Sequence, residues 1–383
     1  LCAVICFFLL RKESKEKTEC FPVDRISLIY WEELLFFLAF LMWTYLAGFR
    51  PAAYGTEKFM DYGFMEAMMR STTLPARDLW YSEGHINYYY GGQYFAVFLT
   101  KLSHTKVELT YNLMRTFVAG LAFAMPFSLV YQMMSDRMKG LQKSEKVIKG
   151  LPFAAGFTAG TAVSIAGNMH YVIYAQIIPL IEKLTGKEVS SYWFPDATRY
   201  IGYNPYREED RTIHEFPCYS FVLGDLHAHV VNIMFVLLVI ALLYVWLRGV
   251  RKKTVPVETS MKDGKFWKEQ LLMPHLLVIS ALLGMFQWTN FWDFVIYYVV
   301  TLGTVLFANI IRFQGKIKKI IVVTFAQMAE IYLLAYLVIL PFTLQFDTMV
   351  DGIGIAKYHS YFYQLLVLWG LPAVLTITFV ISI

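Results

Sequence analysis

The sequence predicts an all-α fold, a polytopic bundle of transmembrane helices. Of its 383 residues, 57% are hydrophobic, 17% are aromatic and only 16% are charged, which is unlike an ordinary soluble domain. Apolar runs recur that are close to the ~20 residues needed to cross the ~30 Å hydrocarbon core of a bilayer. These runs are continuous rather than alternating, which indicates spanning helices and not the strands of a barrel.

Basic residues indicate which loops face the cytoplasm. Most of the 34 Lys and Arg residues lie in four segments between apolar runs, and the positive-inside rule makes such segments cytoplasmic. They cover residues 11–25, 137–149, 248–268 and 312–319. Basic patches this close to membrane spans are not expected to bind nucleic acid, so the predicted partner is the lipid bilayer.

We expect a single transmembrane domain over residues 1–383. The chain begins with Leu1 rather than Met and ends inside an apolar run, which predicts a fragment of a longer protein. Residues 94–102 are apolar but too short to cross the membrane, so an interfacial or re-entrant helix is expected there. The predicted spans then alternate without conflict over residues 1–10, 26–47, 107–134, 151–178, 229–246, 271–288, 291–311, 320–340 and 362–383.

Two long polar segments fall on the opposite side of the predicted membrane. The first outer segment covers residues 48–106 and the second covers residues 179–228, with a shorter third at 341–358. The inner loops are short and generic. Any chemistry is therefore expected at the extracytoplasmic face of a multi-pass plasma-membrane protein.

The first outer segment opens on an acidic pair, Glu57 and Asp61, in the motif EKFMD. Residues 57–70 are predicted to form an amphipathic helix, and a spacing of four places both carboxylates on one face. Like charges at that spacing destabilise a helix, so a cation, a proton or a substrate hydroxyl between them is one interpretation. The other is a solvated face with acids near a helix N-terminus.

An aromatic run follows, and it contains the candidate substrate-binding residues Trp80, His85, Asn87, Tyr88, Tyr89 and Tyr90. Tyrosines are common where a protein meets the membrane surface. Aromatic rings with polar tips are also suited to stack on sugars and bond their hydroxyls. Both interpretations stay open, and they are compatible with each other. The glycines at 91 and 92 permit a turn or a close approach of backbones.

The second outer segment ends in a D-x-H-x-H motif formed by Asp225, His227 and His229. The motif could hold a divalent metal, or a phosphate at the start of the following span. The alternative is a helix cap with two interfacial histidines. Arg70 and Arg77 of the first segment are candidates to bind a phosphate. We expect both outer segments to line one cavity.

The motifs EKFMD, ARDLWYSEGHINYYYGGQ and HEFPCYSFVLGDLHAH together resemble the YYY membrane protein family of archaea and of bacteria such as Chloroflexi, over essentially the whole chain. That family is distantly similar to the GT-C membrane glycosyltransferases. The resemblance implies a GT-C-like bundle with interfacial helices, in which a sugar passes with inversion from a polyprenyl-phosphate donor to a glycan, lipid or protein acceptor.

By the same resemblance, Asp61 by preference, or Glu57, is the general base. Asp225, His227 and His229 bind Mg, Mn or Zn, or the lipid phosphate, with help from Arg70 or Arg77. The usual GT-C motif has adjacent acids, whereas these are four apart. Two further classes remain: a lipid or sugar transporter or flippase, which predicts discontinuous spans and buried mid-span charges, and a non-enzymatic envelope assembly protein.

Overall fold

The structure, a computed structural model, describes residues 23–55, 57–139, 145–252, 260–348 and 354–382. These residues contain thirteen α-helices and no β-strand. The helices are α1 (Val23–Gly48), α2 (Lys58–Arg70), α3 (Gly91–Leu102), α4 (Val107–Met138), α5 (Glu145–Ser164), α6 (Ile178–Leu184), α7 (Pro217–Leu223), α8 (Ala228–Lys252), α9 (Gly264–Leu271), α10 (Pro274–Thr289), α11 (Phe291–Phe313), α12 (Ile317–Thr343) and α13 (Phe362–Ser382).

Six of these helices are long and apolar enough to cross a membrane, which confirms the predicted all-α polytopic bundle. They are α1, α4, α8, α11, α12 and α13. A seventh span is possible if α9 and α10, which meet at a 50° bend, cross as one. The predicted span at 1–10 and the basic residues at 11–22 lie outside the described residues.

The predicted span over residues 151–178 is wrong in its second half, because α5 ends at Ser164 and the chain becomes helical again only near His170. Asn168 explains the break. Its side-chain oxygen accepts a hydrogen bond from the His170 backbone N–H at 3.1 Å, and its amide nitrogen donates to the Ala197 carbonyl at 2.7 Å. An asparagine that bonds neighbouring backbone in this way competes with the helix ladder.

Small residues let α5 pack closely on α4, as the Gly- and Ala-rich sequence predicts. A Cβ on Gly156 or Gly160 would lie 2.7 Å from the carbonyl oxygen of Phe127 or Phe123, respectively. Real Cβ atoms essentially never approach so near. These two helices therefore form a rigid wall beside α1.

Helix α3 corresponds to the apolar stretch that was predicted to be too short to cross. Its 12 residues span about 18 Å, well short of the ~30 Å hydrocarbon core. It packs inside the bundle, with Val97 fully buried. A Cβ on Gly92 would lie 2.9 Å from the Cβ of Val231 in α8, so glycine permits this close approach.

The three predicted outer segments meet at one end of the bundle. Gln93 of the first segment donates to the backbone oxygen of Leu226 in the second at 3.0 Å. Asn87 exchanges hydrogen bonds with the backbone of Asp347 in the third, at 2.9 and 3.0 Å. Residues more than 100 positions apart thus form one surface, here called the polar end.

Candidate active site, an acid–histidine cluster

Two short stretches of chain supply most of the titratable side chains at the polar end. Glu57 and Asp61 lie at the start of α2, and residues 225–227 form the turn between α7 and α8. Glu215, just before α7, and His229, in the first turn of α8, complete the set. These six residues, Glu57, Asp61, Glu215, Asp225, His227 and His229, are called the acid–histidine cluster.

Gly224 sets the direction of the turn that carries Asp225 and His227. It ends α7 in the left-handed conformation, with φ +79°, which glycine adopts without steric cost. The Arg115 guanidinium, buried in α4, donates to the Gly224 carbonyl at 3.0 Å and to the carbonyls of Ala47 and Arg50 at 3.3 Å each. One arginine therefore ties the turn to the end of α1.

Asp61 is completely buried and is bridged to the second segment by one amide. Gln93 donates from the same nitrogen to Asp61 Oδ1 at 2.9 Å and to the Leu226 carbonyl at 3.0 Å. Among the described residues, Asp61 Oδ2 has no hydrogen-bond partner. The carboxylate is thus held firmly at one oxygen, and the other is left for a proton or a ligand.

Burial raises the pKa of Asp61 to about 7. The nearby His227 and the Gln93 hydrogen bond oppose this shift, whereas the carboxylates of Asp225 and Glu57 add to it. A carboxylate in a dry site near other acids prefers its neutral form. Asp61 therefore exchanges its proton close to neutral pH, where a general acid or base is most effective.

His227 connects the buried and exposed acids. Its Nε2 lies 2.5 Å from Glu57 Oε2, and its Nδ1 lies 3.8 Å from both Glu215 Oε2 and Asp225 Oδ2. Burial lowers the pKa of His227, but the Asp61, Glu57 and Glu215 carboxylates outweigh it, so the pKa lies above its usual value. The surrounding acids therefore favour the protonated form of this imidazole.

The outermost part of the cluster is formed by His229 and Glu215. His229 Nε2 lies 3.4 Å from Glu215 Oε2, and both contact the Ser220 hydroxyl at 3.3 and 3.1 Å. Burial alone would raise the pKa of Glu215, but the hydrogen bond and charge of His229 hold it below its usual range. Glu215 is therefore an anchor for the two histidines.

Positive charge lies beside the cluster in α2. Lys58 is buried, and its neighbourhood includes Asp225 together with Arg115 and Arg50. Burial and the two arginines lower the pKa of Lys58, against the opposing effect of Asp225. Lys58 and Arg115 partly balance the four carboxylates at the polar end.

The positions of Asp225, His227 and His229 can be compared with the metal site predicted for the D-x-H-x-H motif. Within the described ranges, no group of three or more His, Cys, Asp or Glu side chains is placed to hold a metal ion. Asp225 is buried, whereas the side chain of His229 is 40% exposed. The two imidazole rings stack with centroids 5.5 Å apart. Metal or phosphate binding by these residues stays a prediction.

The three consecutive tyrosines differ in what they pack against, although the rings of Tyr88 and Tyr89 contact each other. Tyr88 packs on Phe64 of α2, and burial followed by the charges of Asp61 and Glu57 raises its pKa. Tyr89 contacts Phe291 and Phe346, and Tyr90 is buried against Trp288 and Phe342. Only Tyr88 therefore faces the acid–histidine cluster, and the triplet does not form one flat platform.

The remaining predicted site residues lie elsewhere at the polar end. Arg70, Arg77 and His85 line a groove of about 500 Å³ whose walls include no member of the cluster. Arg70 is paired with Glu66 at 3.2 Å. Trp80 is exposed and packs edge-on against Phe59 and Phe64. Asn87 is occupied by the backbone of Asp347, as described above.

Three important residues were not among the predicted site residues. They are Gln93, Glu215 and Arg115. Gln93 and Arg115 act through contacts with chain segments more than 100 positions away, whereas Glu215 contacts histidines of its own segment. The signal that could have found Arg115 is its chemistry: it is a charged side chain inside the apolar span predicted over residues 107–134, and such residues need partners. Gln93 directly precedes the predicted apolar stretch 94–102 and carried no comparable signal. Glu215 precedes a proline that starts α7.

The chain belongs to the family described as Uncharacterized membrane protein (DUF2298), which it matches over residues 1–383. It is therefore a multi-pass membrane protein of that family. No curated protein and no solved structure is similar enough to match it.

Proposed function

We propose that the protein is a membrane glycosyltransferase of GT-C type, which moves a sugar from a polyprenyl-phosphate donor to an acceptor hydroxyl at the extracytoplasmic face of the plasma membrane. The observation that carries the proposal is the buried Asp61, whose pKa of about 7 suits proton transfer at neutral pH. It lies where polar segments converge at the end of a membrane bundle, which fits a lipid-linked donor.

In this proposal, Glu57 is the group that contacts the acceptor. Its side chain is 55% exposed, whereas Asp61 is completely buried, so the preference for Asp61 as the contacting base is reversed. Glu57 accepts the proton of the acceptor hydroxyl. The oxygen forms the new bond to the anomeric carbon while the bond to phosphate breaks, and the lipid phosphate leaves with the electron pair.

His227 and Asp61 support Glu57 in two ways. His227 orients the Glu57 carboxylate through their 2.5 Å contact and passes on the proton. Asp61 takes up or releases a proton as the charge on His227 changes, which keeps the buried cluster close to neutral.

The groove lined by Arg70, Arg77 and His85 fits an extended acceptor better than the leaving phosphate. Along α2, Arg70 lies 13 residues from Glu57, or about 20 Å, too far to contact the phosphate of a sugar held at Glu57. Trp80 and Tyr88, on either side of Phe64, are the proposed stacking surfaces for sugar rings.

A lipid or sugar transporter is the second candidate, and one observation favours it. The bent pair α9 and α10 is the kind of discontinuous helix on which transporters build substrate sites. A transporter would move a fluorescent polyprenyl-phosphate lipid across liposomes without chemical change, whereas a transferase would yield a glycosylated product.

The test uses the chain in proteoliposomes with radiolabelled short-chain polyprenyl-phosphate mannose and polyprenyl-phosphate glucose, and envelope extract as acceptor. We expect Glu57→Gln to lower transfer at least about 100-fold, the range of a lost general base, and Asp61→Asn to lower it about tenfold. Glu66→Gln, an acid on the same helix paired with Arg70, is the matched control. Equal transfer by Glu57→Gln and Glu66→Gln would overturn the assignment.

A further inference from the structure

A second cavity lies at the other end of the bundle. It measures about 630 Å³ and lies between α8, the α9–α10 bend and the end of α11. Trp246 on its wall is 19 residues from His227 along α8, or about 29 Å. The described parts of the basic segments, residues 248–252, 260–268 and 312–319, adjoin it, so this end faces the cytoplasm under the positive-inside rule.

Arg312 supplies the cavity with a cation whose charge is not neutralised. Its guanidinium donates to the side-chain oxygens of Gln270 and Asn309, and both acceptors are uncharged. Among the described residues, no carboxylate forms an ion pair with it. A guanidinium has five N–H groups, so three remain for a ligand.

The neutral acceptors are themselves fixed. Asn309 donates to Gln327 at 2.8 Å and to Thr324 at 3.0 Å, and Gln327 donates to the Gln270 backbone oxygen at 2.9 Å. Asn309, Gln327 and Gln270 are almost completely buried. Such a saturated network holds the guanidinium in one place before any ligand arrives.

The rest of the wall is largely apolar and opens toward the surface that would face lipid. Leu242, Val245 and Met273 line it, and Val245 is 63% exposed on α8. The exposed Glu269 is the acid on the wall. A fixed cation beside an open apolar surface suits an amphiphile with an anionic head, whereas a free anion would gain nothing from the apolar part.

We propose that this cavity binds an anionic phospholipid, with Arg312 donating hydrogen bonds to the lipid phosphate and the exposed face of α8 contacting the acyl chain. The lipid would neutralise a charge that the helices leave uncompensated. The site is independent of the proposed transferase chemistry, since about 29 Å of helix α8 separates the two.

The experiment is native mass spectrometry of the full chain in detergent, with phosphatidylglycerol and phosphatidylcholine in equal amounts. We expect wild-type protein to retain phosphatidylglycerol preferentially, and Arg312→Gln to lower that preference about tenfold, the effect of a lost charge-assisted hydrogen bond. Arg251→Gln removes an exposed arginine at the same end that does not line the cavity, and it should leave the preference unchanged.

A second variant fills the cavity and keeps the charge. Gly249 lines the cavity, and no atom lies within 4 Å of a Cβ built there, so Gly249→Phe should fold and exclude the lipid. Gly303→Phe, equally open but on α11 away from the cavity, is its control. Unchanged preference in Gly249→Phe, or displacement of the lipid by millimolar inorganic phosphate, would overturn the proposal.

Discussion

The two ends of the bundle hold buried charge in opposite ways. At the polar end, four carboxylates and two histidines share protons, and burial raises the pKa of Asp61 to about 7. At the other end, a single Arg312 is held by uncharged amides. Proton exchange requires several titratable groups in contact, whereas binding a fixed anion requires one permanent charge. The first arrangement suits the chemistry that we propose for the polar end, and the second suits the lipid recognition that we propose for the other.

We expect the largest effect from Gly224→Ala, which should disrupt the packing of the polar end and leave the other end of the bundle unchanged. A Cβ there would lie 1.6 Å from Arg115 Nη1, at φ +79°. An alanine is strained in the left-handed conformation, and the displaced Arg115 guanidinium would lose its hydrogen bonds. Together these effects should lower the free energy of unfolding by about 5 kcal/mol or more. Thermal unfolding in detergent measures it.

Gly186→Ala is the matched control for that change. Gly186 also has a positive φ of +70°, but no atom lies within 4 Å of its Cβ position. Gly186→Ala should therefore lower the free energy of unfolding through backbone strain alone, by about 1 kcal/mol. Equal losses in both variants would mean that Arg115 is not fixed against the turn.

The second effect is on how stability depends on pH. Burial raises the folded-state pKa of Asp61 from 3.8 to about 7. The stability that protonated Asp61 contributes to the folded state is therefore complete below about pH 4 and is lost as pH rises toward 7. The loss corresponds to about 4 kcal/mol. Asp61→Asn cannot ionise, so its stability relative to wild type should rise by a similar amount across that window.

Chemical denaturation at pH 4, 5, 6 and 7 would follow this difference, with Glu66→Gln as the control. In Asp61→Asn the carboxylates of Glu57 and Glu215 still favour the protonated form of His227, whereas the contribution of Asp61 is lost. A pH profile for Asp61→Asn that runs parallel to wild type would show that Asp61 is not buried as described.

A smaller effect is expected from Gln93→Leu, which removes the bridge between the two outer segments. Asp61 Oδ1 and the Leu226 carbonyl would both lose their donor, at a cost of about 2 kcal/mol. Thr100→Val on the same helix, whose hydroxyl bonds the Ala96 carbonyl and the Thr110 hydroxyl, loses only uncharged partners and should cost less. Comparable losses in thermal unfolding would contradict a special role for Gln93.

The fold class could be predicted from the sequence, because hydropathy locates most of the spans and topology then places the polar segments on one side. The particular contact between Glu57 and His227 could not be predicted, since the residues are 170 positions apart. The break at Asn168 could not, since local side-chain bonds overrode an apolar run. The directions of Tyr88 to Tyr90 could not either. They lie in an irregular turn before α3, where no period relates neighbouring side chains.

The proton on Asp61 is the most direct test of the account. Infrared difference spectroscopy of the full chain, titrated from pH 5 to pH 9, records the C=O stretch of protonated carboxylic acids. The measurement is made in a Glu330→Gln background, which removes a second buried carboxyl oxygen that has no hydrogen-bond partner among the described residues. We expect a band that disappears with a midpoint near pH 7 and that is missing when Asp61→Asn is added but present when Glu66→Gln is added. A wild-type spectrum with no carboxylic acid titrating above pH 5 would contradict the account.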